Sequence, residues 1–437
     1  TLNAHFLMKK FLKRILLVLL AILVAIQAPF IYRRYKVGKL AEKVAELNAA
    51  RTTRIDDRFK EYKGIIHAHT NLGGHSTGGF DELIAAANAN DLDFVLMTEH
   101  YSDAFDTSAL TLNGVYGKTL FVGGNEIDTA DSDRFLMIPG SGEAAGLRKV
   151  PTAAVIEKLH AENRLALVTY PEKFKSWDSS FDGIEVFSLH TNAKAMNPFT
   201  AVFDGIWSFP SYPEMMLASY FQRPDDNLRK FDEIGAKRKV SLFAGTDAHS
   251  NIGFHLFGDD TGHKFLNFKF DDYATIFRLA RQHVLIEKDK PLTRENLLDA
   301  LRSGRSFIGL DVLGDTTGFE FETYGEKGKI SSTRKVSMGG EISDLGGFAF
   351  NVVLPHELSL SQKARIVIFR NGQKYSETIP AIEKVRESVD YSTNNLIILD
   401  VSRVNEPGAY RVEVYLDHLG PQFDKMPWII SNPIYVR

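Results

Sequence analysis

The stretch 63–75, KGIIHAHTNLGGH, constrains this chain more than any other. The apolar pair Ile65-Ile66 runs into His67-Ala68-His69, and a glycine-containing loop then brings a third imidazole, His75. Alternate side chains of an extended strand share a face, so His67 and His69 are expected to point the same way at a strand's end. Two imidazoles so placed form a clamp for a divalent cation. Two solvated surface histidines would leave the same trace, so residues further along the chain must decide between the two.

From Phe59 to about Leu310 short apolar runs alternate with helical patterns. The runs predict strands at 64–66, 94–97, 119–122, 135–138, 165–168, 183–187 and 240–244, with helices over 80–90, 152–163 and 227–234 between them. Such alternation predicts a parallel sheet, and about seven units in roughly 250 residues predict a closed or nearly closed β/α barrel. Pockets in such barrels form at the C-terminal edges of the strands. The polar residues cluster there. Thr98-Glu99-His100 follows the second run, Gly124-Asn125-Glu126 the third, Ser188-Leu189-His190 follows GIEVF, and Asp247-Ala248-His249 follows LFAGT. Each residue has an ordinary alternative: Glu99 or Asp247 as a helix cap, His100 as a satisfied core histidine, Glu126 paired with a lysine. Taken together, those alternatives leave several ionisable groups at one mouth with nothing to neutralise them, which is costly. Bound divalent cations remove that cost.

The chain ends add a second constraint. Lys9, Lys10, Lys13 and Arg14 precede an uncharged run from Ile15 to Tyr32, followed by Arg33, Arg34, Lys36 and Lys39. At the helical rise the run spans about 27 Å, near the lower limit for crossing a bilayer. The expected organisation is a tail and transmembrane anchor over 1–33 and a juxtamembrane helical linker over 34–58. The body occupies 59–310, and an all-β part 311–437. A cleaved signal peptide is the rival, with a secreted product in place of a single-pass protein of a bacterial-type inner membrane whose body is extracytoplasmic. Basic residues flank both sides, so charge does not orient the helix. The chain has no cysteine, which excludes disulfides and thiolate ligands. A formal net charge of −3 shows no surface for nucleic acid, so an anionic substrate must be met by a local site or by cations.

The ordered set HAHTNLGGH, TEH, GGNE and GTDAH resembles the polymerase and histidinol phosphatase (PHP) family of metal-dependent phosphoesterases. The resemblance covers residues from Tyr62 to about Leu310, and LTRENLLDALRSGRSFIG is similar to the helix that closes such domains. It implies a distorted seven-stranded, TIM-like β/α barrel with two or three divalent ions (Zn, Mn or Fe) at the strand ends. By it, His67, His69, Glu126 and Asp247 would hold a first metal, Glu126 bridging to a second, while His100 and His249 belong to a third. His190 falls near a ligand of the second metal. The implied reaction is hydrolysis of a phosphate mono- or diester by a metal-bridging hydroxide, with Glu126, His100 and His249 at the reacting centre and a phosphorylated small molecule or a glycan- or lipid-linked ester as substrate. Two positions depart from the family pattern. The loop after the paired histidines is longer and offers His75 where many members carry Asp, and Val168-Thr169-Tyr170-Pro171 stands where many carry a histidine before proline. Tyr170 is a poor ligand at neutral pH.

Weaker candidates surround these. Lys173, Lys175 and Arg305 could hold a phosphate or could be solvated cations. His255 and His263 lie in an aromatic, glycine-rich loop that could line the mouth, and Glu99, Asn192 and Tyr170 could orient ligands. The long connection 191–226 has the composition of a substrate lid or of a surface packed on a neighbour. After Leu310 only strand patterns occur, with Asn371-Gly372 at a hairpin turn, and they predict a small β-sandwich without a site of its own. Two rival functions stay open: a non-catalytic metal-binding sensor or scaffold, and a hydrolase of the same metal architecture acting on an amide or lactone.

Overall fold

The computed structural model describes residues 2–51, 58–251, 253–258, 264–325, 335–343, 348–355, 362–379, 397–400, 404 and 406–437. It is a mixed α/β structure, with one long apolar N-terminal helix and a large mixed sheet.

The N-terminal helix runs unbroken over Leu2–Ala49 and carries Pro29 within it. It is long and apolar enough to cross a membrane, a property that signal sequences share. Most of its apolar run is exposed, whereas Phe30, Val37, Leu40, Val44 and Leu47 are buried. Those five recur at three-, four- and seven-residue spacing and so form one helical face. Leu40, Val44 and Leu47 join the largest apolar cluster of the protein, and Arg51 pairs with Asp315 at 2.7 Å. The linker expected over 34–58 is helical as far as Ala49 and lies packed on the body, and its residues 52–57 fall outside those described. An apolar stripe at helical period requires a partner, and here the body supplies it.

The seven expected strands all form. They are joined by short strands that the apolar pattern does not mark. In chain order these are β1 (Phe59–Ala68), β2 (Phe94–Met97), β3 (Glu99–His100), β4 (Gly114–Tyr116), β5 (Thr119–Val122), β6 (Asn125–Asp128), β7 (Arg134–Ile138), β8 (Leu165–Val168), β9 (Gly183–Ser188) and β10 (Ser241–Ala248). β1 lies between β2 and β10, parallel to both. β2 pairs in parallel with β5, β3 with β6, β8 with β9 and β9 with β10. The sheet is nevertheless mixed: β7 is antiparallel to both β6 and β8, and the strand Arg281–Glu287 is antiparallel to β1. One apolar cluster draws Ile66, Leu96, Val122, Leu136, Leu167, Phe243 and Val284 from seven strands. The helix Arg294–Ser303 adds Leu297, Leu298 and Leu301 to it. That helix starts where the Thr293 hydroxyl accepts from Asn296 N and stops at Gly304, whose φ of 74° suits glycine.

The C-terminal strands form as expected, including the Asn371-Gly372 turn, where both residues have positive φ. They are not, however, a sandwich apart. Strand Ser306–Gly309 pairs with Ile429–Ser431, which pairs with Gly408–Tyr415, so the main sheet runs on past residue 310. A separate three-stranded sheet, Glu320–Gly325, Phe348–Val353 and Ile397–Asp400, faces it, with the Phe350 and Tyr410 rings 5.0 Å apart.

Candidate metal centre

The C-terminal ends of β1, β3, β9 and β10, with the β6 residue Glu126, meet at one rim. The meeting depends on a local irregularity that the strand alternation does not predict. Between Ile66 and Ala68 the pairing of β1 with both neighbours slips, and His67 sits there with φ of 72°. A bulge re-aims a side chain, so His67 and His69 converge through backbone distortion and not through regular alternation. Tyr170 and Asp247 also have left-handed backbone, with φ of 49° and 48°. Non-glycine residues held there store strain, and such strain concentrates at functional sites.

His67, His69, Glu126 and Asp247 are all buried and form one compact set of ligand atoms. His67 Nε2 lies 3.4 Å from Asp247 Oδ1 and 3.6 Å from Glu126 Oε1, and His69 Nε2 lies 3.3 Å from Asp247 Oδ1 and 3.7 Å from Glu126 Oε2. Five buried polar atoms here have no hydrogen-bond partner: His67 Nε2, both ring nitrogens of His69, Glu126 Oε1 and Asp247 Oδ1. Unpaired buried groups cost stability unless something satisfies them. Tetrahedral ligands about 2.1 Å from a cation stand roughly 3.4 Å apart, so the observed separations suit one shared ion. The donor set, imidazole nitrogen with carboxylate oxygen, fits a divalent metal without naming which one. A second set joins His69, His100 and His249. The His69 ring stacks on His249 at 4.4 Å and on His100 at 4.7 Å, and His100 Nδ1 is 3.4 Å from Glu126 Oε2.

The electrostatics arise from this packing. Burial alone would lower His67, but Asp247, Glu185 and Glu126 outweigh it and hold the imidazole well above its ordinary value. Glu126 is disfavoured by burial yet falls to about 2, because His67 and His69 face it, and Asp247 is held low by the same imidazoles. His100 drops to about 3 and His249 to about 4, chiefly through burial and then through the neighbouring His69. Both therefore present neutral imidazole at neutral pH, the form that ligates.

The other expected residues divide. His190 Nδ1 lies 3.5 Å from Asp247 Oδ2 but stands apart from both ligand sets, at the edge of the mouth. His75 is exposed and packs its ring edge-on against His100, so the longer loop brings it to the rim and not into the cradle. The Tyr170 hydroxyl donates to Asp247 Oδ2 at 2.6 Å; burial and the nearby carboxylates push its pKa up, so the phenol keeps its proton. Glu99 is a brace: it accepts from Thr70 N and Oγ1 and from Thr111, which pins the turn after His69. Asn192 donates to Ser188 O and accepts from Gln222 N, tying down the helix Leu189–Lys194 without touching an imidazole. Lys173 lies over the Tyr170 ring and lines a cavity of about 450 Å³ beside the cradle. Lys175 Nζ donates to Asp131 O, and Arg305 sits against Asp299 and Glu287; neither side chain lines the two cavities at the rim. His255 lies in the strand Gly253–Gly258 with its side chain outside those described, and His263 lies outside the described residues.

Two residues of the site escape the motif reading. Glu185, within GIEVF, is buried, and its Oε2 lies 3.1 Å from His67 Nδ1 and takes the Thr169 hydroxyl. This contact takes the Nδ1–H of His67, so that Nε2 is the nitrogen left facing the cradle. A lone carboxylate inside an otherwise apolar strand was the available signal. Arg134 pairs with Asp128 at 2.7 Å and reaches within 3.8 Å of Glu126, lining both the main mouth, a cavity of about 720 Å³, and the smaller one.

No family model matches the chain, and no curated protein matches it. Among solved structures, the crystal structure of PsfC from Pseudomonas syringae PB-5123 is similar at a TM-score of 0.33 and 11% identity, over 56% of this chain and 90% of that one. A likeness at that level carries no argument about fold or function.

Proposed function

We propose that the chain is a membrane-tethered, metal-dependent phosphoesterase of the PHP type, built on a distorted β/α barrel. The observation that carries the reading is the convergence of five unpaired, buried histidine and carboxylate atoms, from β1 and the residue that follows it, β6 and β10, at one strand-end rim. The apolar cluster shared by seven strands, with the helix Arg294–Ser303 packed against it, supports the barrel. His67, His69, Glu126 and Asp247 would hold one cation, and His69, His100 and His249 offer donors for a further one. Such cations supply Lewis acidity and an activated water to a phosphoester. The chain's own residues would do the rest. Glu185 and Thr169 hold the His67 ring through Nδ1, Tyr170 holds Asp247, and Glu99 keeps the turn after His69 in place. Arg134, Arg148 and Lys173 line the adjoining cavity, where guanidinium and ammonium groups can take the oxygens of a phosphoryl ester. The experiment is metal analysis of the full-length protein, with phosphate mono- and diesters as substrates and His67→Ala/His69→Ala as control. Turnover that survives the double substitution would remove these imidazoles from the chemistry.

A second reading is favoured by Tyr170. A phenol that stays protonated and donates to Asp247 is not a ligand, which lowers the number of cations the rim can hold. One ion per chain without turnover would support a metal-binding sensor, and turnover of amides or lactones alone would support a hydrolase acting on carbon.

A further inference from the structure

The helix Pro198–Trp207 carries Phe199, Val202, Phe203 and Ile206 at positions i, i+3, i+4 and i+7, a single apolar stripe. Phe203 stacks on Phe30 of the N-terminal helix at 4.6 Å. Phe199, Val202 and Ile206 remain 62%, 56% and 61% exposed. The opposite side of this helix is fastened. Buried Asp204 accepts from Arg33 Nε at 2.9 Å and from the Tyr220 hydroxyl, and Trp207 Nε1 donates to Gln27 Oε1 at 2.9 Å. The outward stripe is therefore held in a set orientation.

Its position identifies what would cover it. The contacts to Gln27, Phe30 and Arg33 place it beside the last turns of the apolar run, where Ile26 and Ile31 of the N-terminal helix are also exposed. Phe199 also meets Phe30 edge-on at 6.1 Å, so the exposed stripe abuts the N-terminal helix. It is bordered by exposed Arg34 and Lys36 and by Lys194 ahead of the helix. Cations beside an apolar stripe match the headgroup level of a bilayer with anionic lipid. We propose that the helix Pro198–Trp207 is a second membrane contact, lying in the interfacial layer of the bilayer that the N-terminal helix crosses. It rests on that crossing and is independent of the chemistry proposed above. The helix Leu189–Lys194, which bears His190, is separated from Pro198–Trp207 by three residues, so this contact holds one rim of the mouth at the lipid surface and prevents the body from swinging on a single anchor.

The chain has no cysteine, so each introduced thiol is unique. Full-length Val202→Cys and Ile206→Cys proteins, spin-labelled in phosphatidylcholine/phosphatidylglycerol vesicles, would be compared with Leu19→Cys in the apolar run and Arg229→Cys on a solvated helix. The expected result is labels at 202 and 206 several-fold more accessible to oxygen than to a nickel chelate, relative to position 229, at a depth of about 5–10 Å. In vesicles without phosphatidylglycerol both labels should become more accessible to the chelate. Labels at 202 and 206 that behave like position 229 would overturn the proposal, as would spin–spin broadening that disappears on dilution with unlabelled protein, which would assign the stripe to a second copy. A water-accessible label at position 19 would overturn it through its premise, leaving the metal chemistry untouched. Labels indifferent to phosphatidylglycerol would overturn the role of the cations.

Discussion

Replacing Glu185 by glutamine removes one negative charge while keeping the shape of the side chain. In the native site the carboxylate lies 3.1 Å from His67 Nδ1, with both groups fully buried. At an effective dielectric of about 20 the gross attraction to a charged imidazole at that distance is roughly 5 kcal/mol, a ceiling that desolvation reduces. Removing an acceptor that orients a ligating imidazole generally lowers metal affinity 10- to 100-fold, about 1.4–2.7 kcal/mol. The same size of loss is expected for Glu185→Gln, read by competition with a chelating dye on the full-length protein in detergent. Thermal stability of the metal-free protein should change much less, because the lost ion pair is offset by the removal of a third buried carboxylate beside Glu126 and Asp247. Affinity within twofold of the native value, with His67→Ala still abolishing tight binding, would refute the idea that Glu185 acts through His67.

Gly245→Ala would set a methyl group inside contact distance of the Glu185 carboxylate, so it should cost about 1–3 kcal/mol in denaturant unfolding and weaken metal binding as Glu185→Gln does; unchanged affinity would show that the carboxylate can move freely. His283 is a structural case away from the rim. Burial would lower it, but Asp311 and Glu61 raise it from 6.5 to about 9. Because the folded value is the higher one, its contribution of about 3 kcal/mol is complete below pH 6.5 and fades as pH rises through about 9. His283→Gln should therefore destabilise strongly at pH 6 and far less at pH 10, and equal losses at both would contradict the buried charge. Lys173→Ala combined with Arg148→Ala should raise KM for phosphate esters roughly tenfold with metal content unchanged; an unaltered KM would remove the smaller cavity from substrate binding.

Strand and helix positions were legible because apolar runs and helical spacing are local properties. Each of the seven apolar runs became a strand, and Asn371-Gly372 became the hairpin turn. The residues of the cradle were legible only as a set: each polar residue after an apolar run has an ordinary role of its own, but several ionisable groups at one rim need something to neutralise them. Pairing was not legible. β7 and the strand Arg281–Glu287 run antiparallel, and the C-terminal strands extend the main sheet, because direction and partner are set by where distant segments meet.

The finer geometry of the rim likewise belonged to the tertiary structure. The sequence alone determined that imidazoles and carboxylates from positions 67 to 249 are available at strand ends, and that the first fifty residues contain one apolar helix. Only the folded chain decided that His67 turns inward through a bulge, that Glu185 backs it, and that His75 stays outside at the rim. It also decided that the helix beyond Val37 packs into the body instead of standing free. Residue type and spacing specify which groups can act. The distances that make them act together arise from contacts between segments far apart in the chain, and no local pattern encodes those.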